Sequence, residues 1–166
     1  MVINFKKIRV SEEEKIDFDY NVDLSHVEHL LENVFPNPVR IKGSISNHLG
    51  IIKLYAECST VISCSCGRCL KPVIQDYKVV VDNVLSTEQN ENDLDDTFVV
   101  LTDKLELDEI IIPTIILELE MNYLCSEDCK GLCPKCGTDL NLNKCQCETK
   151  IIDPRLAVLQ QLLDKE

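Results

Sequence analysis

Polar and apolar positions alternate most clearly in the middle of the chain. In IIKLYAECSTVISC, residues 51 to 64, Ile52, Leu54, Ala56, Cys58, Thr60, Ile62 and Cys64 fall on one face; Lys53, Tyr55, Glu57, Ser59 and Ser63 fall on the other. A period of two marks a half-buried antiparallel strand. It turns Cys58 and Cys64 inward, where a free cysteine behaves as a small hydrophobe. VRIKGSI, residues 39 to 45, alternates in the same way with Val39, Ile41 and Ile45 on one side, and Asn47 to Gly50 supplies turn residues between the two strands. Past the SCGRCLKP turn, VIQDYKVVVDNVL is rich in β-branched residues and predicts a third strand of an antiparallel meander. STEQNENDLDD, residues 86 to 96, reads as an exposed acidic loop, after which TFVVL is a candidate further strand.

The flanks are less regular. VINF and the alternating IDFDY predict short strands within residues 1–35, and DLSHVEHLLENV predicts a helical turn capped by Asp23 or Ser25. LDEIIIPTIILELEM, residues 107 to 121, is apolar nearly all round. It predicts a helix with Asp108 as its cap, Glu109 in its first turn and an early kink at Pro113. Such a helix must pack against the apolar face of the sheet. A buried strand is the competing assignment, and the length favours the helix. IIDPRLAVLQQLLDKE predicts a terminal helix with Asp153 as cap, Pro154 at its first position and Leu156, Leu159 and Leu163 on one stripe.

The expected fold class is therefore α+β. An antiparallel β-sheet meander is packed by an apolar helix, with a Cys-rich zinc-binding C-terminal lobe and a terminal helix. The segments are 1–35, a strand and helical region; 36–121, the sheet with its packing helix; 122–150, the zinc-binding knuckle lobe; and 151–166, the C-terminal helix. A chain of 166 residues accommodates them as one compact domain overall.

Charge changes the picture of partners. The net charge is −12, and each four-thiolate zinc site adds about −2. A nucleic-acid binder is usually basic, so the bulk charge opposes RNA or DNA as a simple ligand. The distribution is uneven, however. Between Pro36 and Asp82 the six basic residues Arg40, Lys42, Lys53, Arg68, Lys71 and Lys78 face three acidic ones, whereas nine acidic residues between Ser86 and Glu109 face only Lys104. A local basic face on an acidic protein follows, with a solvated sheet surface as the plainer alternative. No run approaches the roughly 20 apolar residues of a membrane span. The charged MVINFKKIRVSEEEKIDFDY lacks the apolar core of a signal peptide, so a cytoplasmic, non-membrane protein is expected.

That compartment governs how the ten cysteines are read. Cytosolic thiols are kept reduced, which favours metal binding over disulfides. Cys66-Gly67-Arg68-Cys69 and Cys133-Pro134-Lys135-Cys136 are CxxC pairs, and Cys125/Cys129 and Cys145/Cys147 add two more pairs. Eight ligands suit two tetrahedral, structural zinc ions, though one remains possible. Cys133, Cys136, Cys145 and Cys147 would close one site with little loop entropy, leaving Cys66, Cys69, Cys125 and Cys129 for a second. A zinc-ribbon arrangement would instead put both CxxC knuckles on one ion. Catalysis fits poorly, because none of His26, His29 and His48 lies near a cysteine pair and neither CxxC has a thioredoxin-like βαβ setting.

Taken together, CGRCL at a strand end, LCSEDCKGLCPKCGTDLN with a trailing CQC, and DPRLAVLQQLL resemble the YceD family over residues 36 to 163. The resemblance implies a non-enzymatic role in ribosome biogenesis: accumulation of 23S ribosomal RNA and assembly of the large subunit through pre-ribosomal RNA or a ribosomal protein. It implies that zinc is a scaffold device, because the Cys-rich insert is not universal in the family. It also places the CxRC motif on Cys66, Arg68 and Cys69, which brings Arg68 and Leu70 into a candidate partner-binding surface with Arg40, Lys42, Lys53, Lys71 and Lys78. Two other readings stand beside it. One is a zinc-ribbon interaction module in another assembly, and the other a redox-sensing zinc-thiolate protein.

Overall fold

A computed structural model describes residues 1–10, 14–29, 32–86, 97–100 and 102–147. The chain divides into two compact units, one made of Met1–Cys64 and Val73–Met121, the other of Ser65–Pro72 and Asn122–Glu166. Among the described residues the structure is mainly antiparallel β-sheet with two short helices.

The first unit opens with β1 (Val2–Asn4) and α1 (Phe5–Val10), followed by β2 (Lys15–Val22) and the two-residue strands β3 (Glu28–His29) and β4 (Glu32–Asn33). The long strands β5 (Val39–His48), β6 (Ile51–Ser65) and β7 (Pro72–Ser86) come next, then β8 (Thr97–Val99), β9 (Lys104–Glu106) and α2 (Asp108–Leu117). A five-stranded sheet has the order β2-β5-β6-β7-β8, while β1 pairs with β9 and β3 with β4.

The alternating pattern sets the sheet's inner face. Rows such as Ile16–Ile45–Leu54, Phe18–Gly43–Ala56 and Tyr20–Ile41–Cys58 follow from the antiparallel registers of β2 with β5 and β5 with β6. Ile41, Ile45, Leu54, Ala56 and Ile62 lose essentially all their exposure, Cys58 is buried with them, and Cys64 is half-buried. Each fully buried isoleucine or leucine among them contributes about 1.5–3 kcal/mol relative to an exposed one. Gly43 is required in its row, because a Cβ there would lie 2.1 Å from the Tyr55 carbonyl oxygen and 2.7 Å from the Ala56 Cα.

The β5–β6 hairpin turns at Leu49 and Gly50, whose φ values of 53° and 83° are the left-handed pair of a tight two-residue loop. Asn47, expected in the turn, is instead a buried strand residue. Its amide donates to the Ile8 carbonyl at 2.8 Å and its Oδ1 accepts the Gly50 N–H at 3.1 Å. β8 does form at TFV, but it runs parallel to β7, with Leu85 opposite Phe98.

Two local expectations are corrected. DLSHVEHLLENV forms no helical turn among its described residues. Asp23 accepts the Ser25 N–H at 2.9 Å, which closes an Asx turn, and the chain then enters the β3–β4 pair. LDEIIIPTIILELEM is a helix, but it is bounded at Leu117 and its N-cap is Leu107, with no side-chain cap hydrogen bond. The Asp108 carboxylate is occupied elsewhere: it takes the Tyr20 hydroxyl at 2.7 Å and the N-terminal ammonium at 2.6 Å. Pro113 lies inside the helix, and Ile110, Ile111 and Ile115 are its buried residues. The Tyr77 hydroxyl of β7 donates to the Ile115 carbonyl at 2.8 Å, which ties the sheet to the last turn of α2. Residues 87–96 of the acidic loop expected over 86–96, and the terminal helix expected over 151–166, lie outside the described residues.

Candidate functional site

The second unit begins where β6 ends. Cys66-Gly67-Arg68-Cys69 folds into a knuckle: the Leu70 N–H donates to the Cys66 carbonyl at 2.9 Å and the Cys66 N–H to the Lys71 carbonyl at 2.8 Å. The other CxxC repeats this pattern. The Gly137 N–H donates to the Cys133 carbonyl at 2.9 Å and the Cys133 N–H to the Thr138 carbonyl at 2.9 Å. Both knuckles need a left-handed residue after the second cysteine, at φ 71° for Gly137 and φ 60° for Leu70. A leucine there costs on the order of 1 kcal/mol, and its side chain is exposed.

The eight thiols gather into two groups of four: Cys66, Cys69, Cys125 and Cys129 in one, Cys133, Cys136, Cys145 and Cys147 in the other. Within each group the sulfurs lie within 4.8 Å of one another. In the first, Cys66 and Cys129 are 3.8 Å apart and Cys69 and Cys125 are 3.5 Å apart. Four sulfurs at about 2.3 Å from a central zinc would be about 3.8 Å apart, so the donor set and spacing fit a tetrahedral ion. A disulfide needs about 2 Å. The two CxxC knuckles therefore do not share a centre; each is completed by a pair from elsewhere in the unit.

The electrostatics fit a cation as well. The Cys125 and Arg68 N–H groups aim at the Cys66 sulfur and lower its pKa to about 6. At Cys129 burial acts upward, yet the Gly131 N–H and the Asn141 amide bring its pKa below the usual thiol value. Cys125, hydrogen-bonded to Cys69 and Cys129, is pushed up to about 12. In the second group the Thr138 hydroxyl and N–H lower Cys136 to about 6, while Cys147 beside it is raised to about 12. Crowded thiols cannot all ionise against one another's charge, and a divalent cation at the centre removes that repulsion.

Around the first centre, Arg68 donates to the carbonyls of Cys129 at 2.9 Å and Glu127 at 3.2 Å. Lys71 pairs with Asp139 at 2.7 Å. The Asn141 amide donates to the Cys129 sulfur at 3.4 Å. Gly131, at φ 73°, is required by a close approach: a Cβ there would lie 2.9 Å from the Arg68 carbonyl oxygen. Asp139 and Asn141 were not singled out from the sequence. Their signal is the D-x-N spacing of an Asx turn immediately after a knuckle.

The residues expected to form a partner surface separate between the units. Arg68, Leu70 and Lys71 sit on the first knuckle, with Arg68 and Lys71 engaged as above. Arg40, Lys42, Lys53 and Lys78 are exposed on the sheet. Arg40, Lys42 and Lys78 line one depression of about 280 Å³ with Glu57, Ser59 and Val80. The sheet face is not basic, because β2 lays carboxylates across it. Asp19 stands opposite Lys42, which stands opposite Glu57. Asp19 also pairs with Arg40 through two hydrogen bonds, at 3.0 and 2.7 Å, and the Arg40 guanidinium holds its pKa below the usual carboxylate value. Counting alone from Pro36 missed β2, which joins this face only through tertiary pairing.

Among the described residues, no helix is long and apolar enough to cross a membrane. A family model described as large ribosomal RNA subunit accumulation protein YceD matches residues 54–163. An uncharacterized protein of Mycobacterium tuberculosis is 32% identical over 105 residues, which cover 61% of this chain and 50% of that protein. The chain thus spans about half the length of the mycobacterial relatives it matches. The uncharacterized protein YlbN of Bacillus subtilis is 26% identical over 156 residues, covering 92% of this chain and 91% of its own. A shorter match, 36% identical over 44 residues, covers 26% of this chain and 14% of a protein of Arabidopsis thaliana named large ribosomal RNA subunit accumulation protein YCED homolog 1, chloroplastic. No solved structure matches.

Proposed function

The chain belongs to the YceD family, and from that premise we propose that it is a non-enzymatic, cytoplasmic factor in the assembly of the large ribosomal subunit, binding a basic ribosomal protein within the precursor particle. The observation that carries this reading is the family match over residues 54–163, whose description concerns accumulation of the large ribosomal RNA subunit. The Arabidopsis relative bears the same description in its name. Protein is favoured over RNA as the direct partner by charge. A chain at −12 repels a phosphate backbone and attracts basic protein segments. The sheet face offers mixed charges with exposed Tyr55 and Val80, which suits a protein surface.

Both cysteine groups hold structural zinc in this reading, two ions per chain. Cys66, Cys69, Cys125 and Cys129 take one, and Cys133, Cys136, Cys145 and Cys147 the other. Zinc supplies the bonds that substitute for an apolar core in the second unit. Four thiolates leave no open coordination position, which supports a scaffold role over a catalytic one.

The test is crosslinking on gradient-purified precursor particles, with depletion of the protein in parallel. Expected are co-sedimentation with large-subunit precursors, crosslinks to a ribosomal protein and reduced 23S ribosomal RNA. Normal ribosomal RNA with no enrichment on precursors would overturn the proposal, and crosslinks to RNA alone would overturn the choice of partner. Elemental analysis should return two zinc ions per chain; a reduced protein without metal would end the zinc reading.

A further inference from the structure

We propose that the turn Asp139–Asn141 is an outer shell shared by the two cysteine centres, and that Asn141 couples them so that filling the Cys133 centre tightens metal binding at the Cys66 centre. The inference rests on reading both groups as metal sites.

The placement of Asn141 is the starting point. In sequence it lies between Cys136 and Cys145, both donors of the second centre. Its amide nonetheless donates to the sulfur of Cys129, a donor of the first, at 3.4 Å. Its Oδ1 accepts the Lys130 N–H at 2.7 Å, which fixes the backbone next to that sulfur. Asp139 orients Asn141 from behind, accepting its N–H at 2.8 Å and its side-chain amide at 2.9 Å through the same Oδ1. The other carboxylate oxygen of Asp139 holds Lys71, two residues after Cys69, at 2.7 Å. Leu140 donates to the Gly131 carbonyl at 3.0 Å and Leu132 to the Arg68 carbonyl at 3.1 Å. The turn strung between donors of the second centre thus grips the first centre beside Cys69 and beside Cys129, and a Leu132–Asp139 bridge joins the same two stretches.

The coupling follows from chain entropy. The ends of the stretch that carries the turn are Cys136 and Cys145, and a metal that holds both ends restricts the loop between them. The cost of presenting the Asn141 amide to Cys129 is then met in advance, and the first centre gains affinity. By linkage the effect is reciprocal, so filling the first centre tightens the second by the same factor. Outer-shell partners of metal ligands are typically worth 10–100-fold in affinity, which sets the scale expected for Asn141.

The experiment is a cobalt titration of the full, reduced, metal-stripped chain against a competing chelator. Thiolate-to-cobalt absorption reports binding, and the amide resonances of Gly67 and Gly137 report the first and second centres separately. Disabling the second centre with Cys145→Ser and Cys147→Ser should weaken the first by about tenfold or more. Asn141→Ala in the otherwise native chain should weaken it by a similar factor. The combination should weaken it little beyond either alone. Asn141→Asp keeps the acceptor for the Lys130 N–H but loses the donor to sulfur, and it should weaken the first centre at least as much as Asn141→Ala. The proposal is overturned if the Cys66 centre binds equally well without the second centre, if that loss is the same size with and without Asn141, or if Asn141→Asp binds as the native chain does. Absence of any thiolate-to-cobalt band would instead overturn the metal reading on which the inference rests.

Discussion

The two units reach a folded state by different means. Among the described residues, the twelve largest fully buried side chains, Phe5, Phe35, Ile111 and Ile115 among them, all belong to the first. In the second, the buried apolar residues among those described are Cys66, Cys69, Cys129, Cys133 and Tyr123. One unit removes hydrocarbon from water; the other converges sulfur on two points. Burial is spread over many small, redundant contacts, whereas a metal centre concentrates its energy in four bonds. In the proposed reading, one chain carries a robust body and a part whose folding depends on two ions.

The largest expected effect comes from removing metal. Apparent binding energies of structural zinc modules are about 10–16 kcal/mol, more than a small unit can lose and stay folded. A strong chelator should abolish hydrogen-exchange protection at amides such as Gly67, Cys129 and Leu140, while Ile41 and Leu54 of the sheet stay protected. Equal loss in both units would erase the contrast.

The converse change is Ile111→Ala in the apolar core. Truncating a fully buried isoleucine costs about 2–5 kcal/mol. Thermal unfolding of the sheet should move down accordingly, and the folded fraction should keep its full metal content by elemental analysis. A drop in metal per folded chain would show that the core supports the centres directly.

Leu70→Gly sharpens the comparison within the second unit. It places at the first knuckle the residue that the second already has, and it relieves a left-handed leucine at φ 60°. A gain of up to about 1 kcal/mol is expected, partly offset by the entropy of an added glycine. It should appear as slower metal loss to a chelator. A weaker knuckle would assign the Leu70 side chain a packing task.

The smallest effect is expected at the exposed Asp19–Arg40 pair. Asp19 has a lowered pKa in the folded protein. Its contribution is therefore present above the ordinary carboxylate range and is lost as the pH falls through the lowered folded value. Exposure and salt screen such a pair, so Asp19→Asn should barely move the unfolding midpoint at neutral pH. A large, salt-resistant shift would contradict a solvated sheet face.

Much of the site was legible locally. A CxxC knuckle is a short-range structure, so Cys66 with Cys69 and Cys133 with Cys136 could be read from spacing. The choice of Cys125 and Cys129 as partners of the first knuckle was one option among the possible pairings. Their sulfurs are brought in from more than fifty residues away, and no local pattern encodes that return. Arg68 illustrates the same limit. As a residue type it suggests a cation for a partner, yet its guanidinium is occupied by two carbonyls that reach it only in the folded unit.

The sequence by itself determined the long strands β5, β6 and β7, the two knuckles and the count of eight candidate ligands, while over the isoleucine run it favoured a helix against a strand by length alone. Each depends on neighbours a few residues apart: a period of two, a β-branched run, or a tight turn between donors. Tertiary structure decided the remaining features: which cysteine pairs share a centre, the parallel placement of β8, the use of Asp108 by Tyr20 instead of by its own helix, and the pairing of Asp19 with Arg40 on the neighbouring strand. Those outcomes turn on which distant segments become neighbours. Long-range pairing is selected by the burial and charge balance of the whole fold, and no short window of sequence contains it.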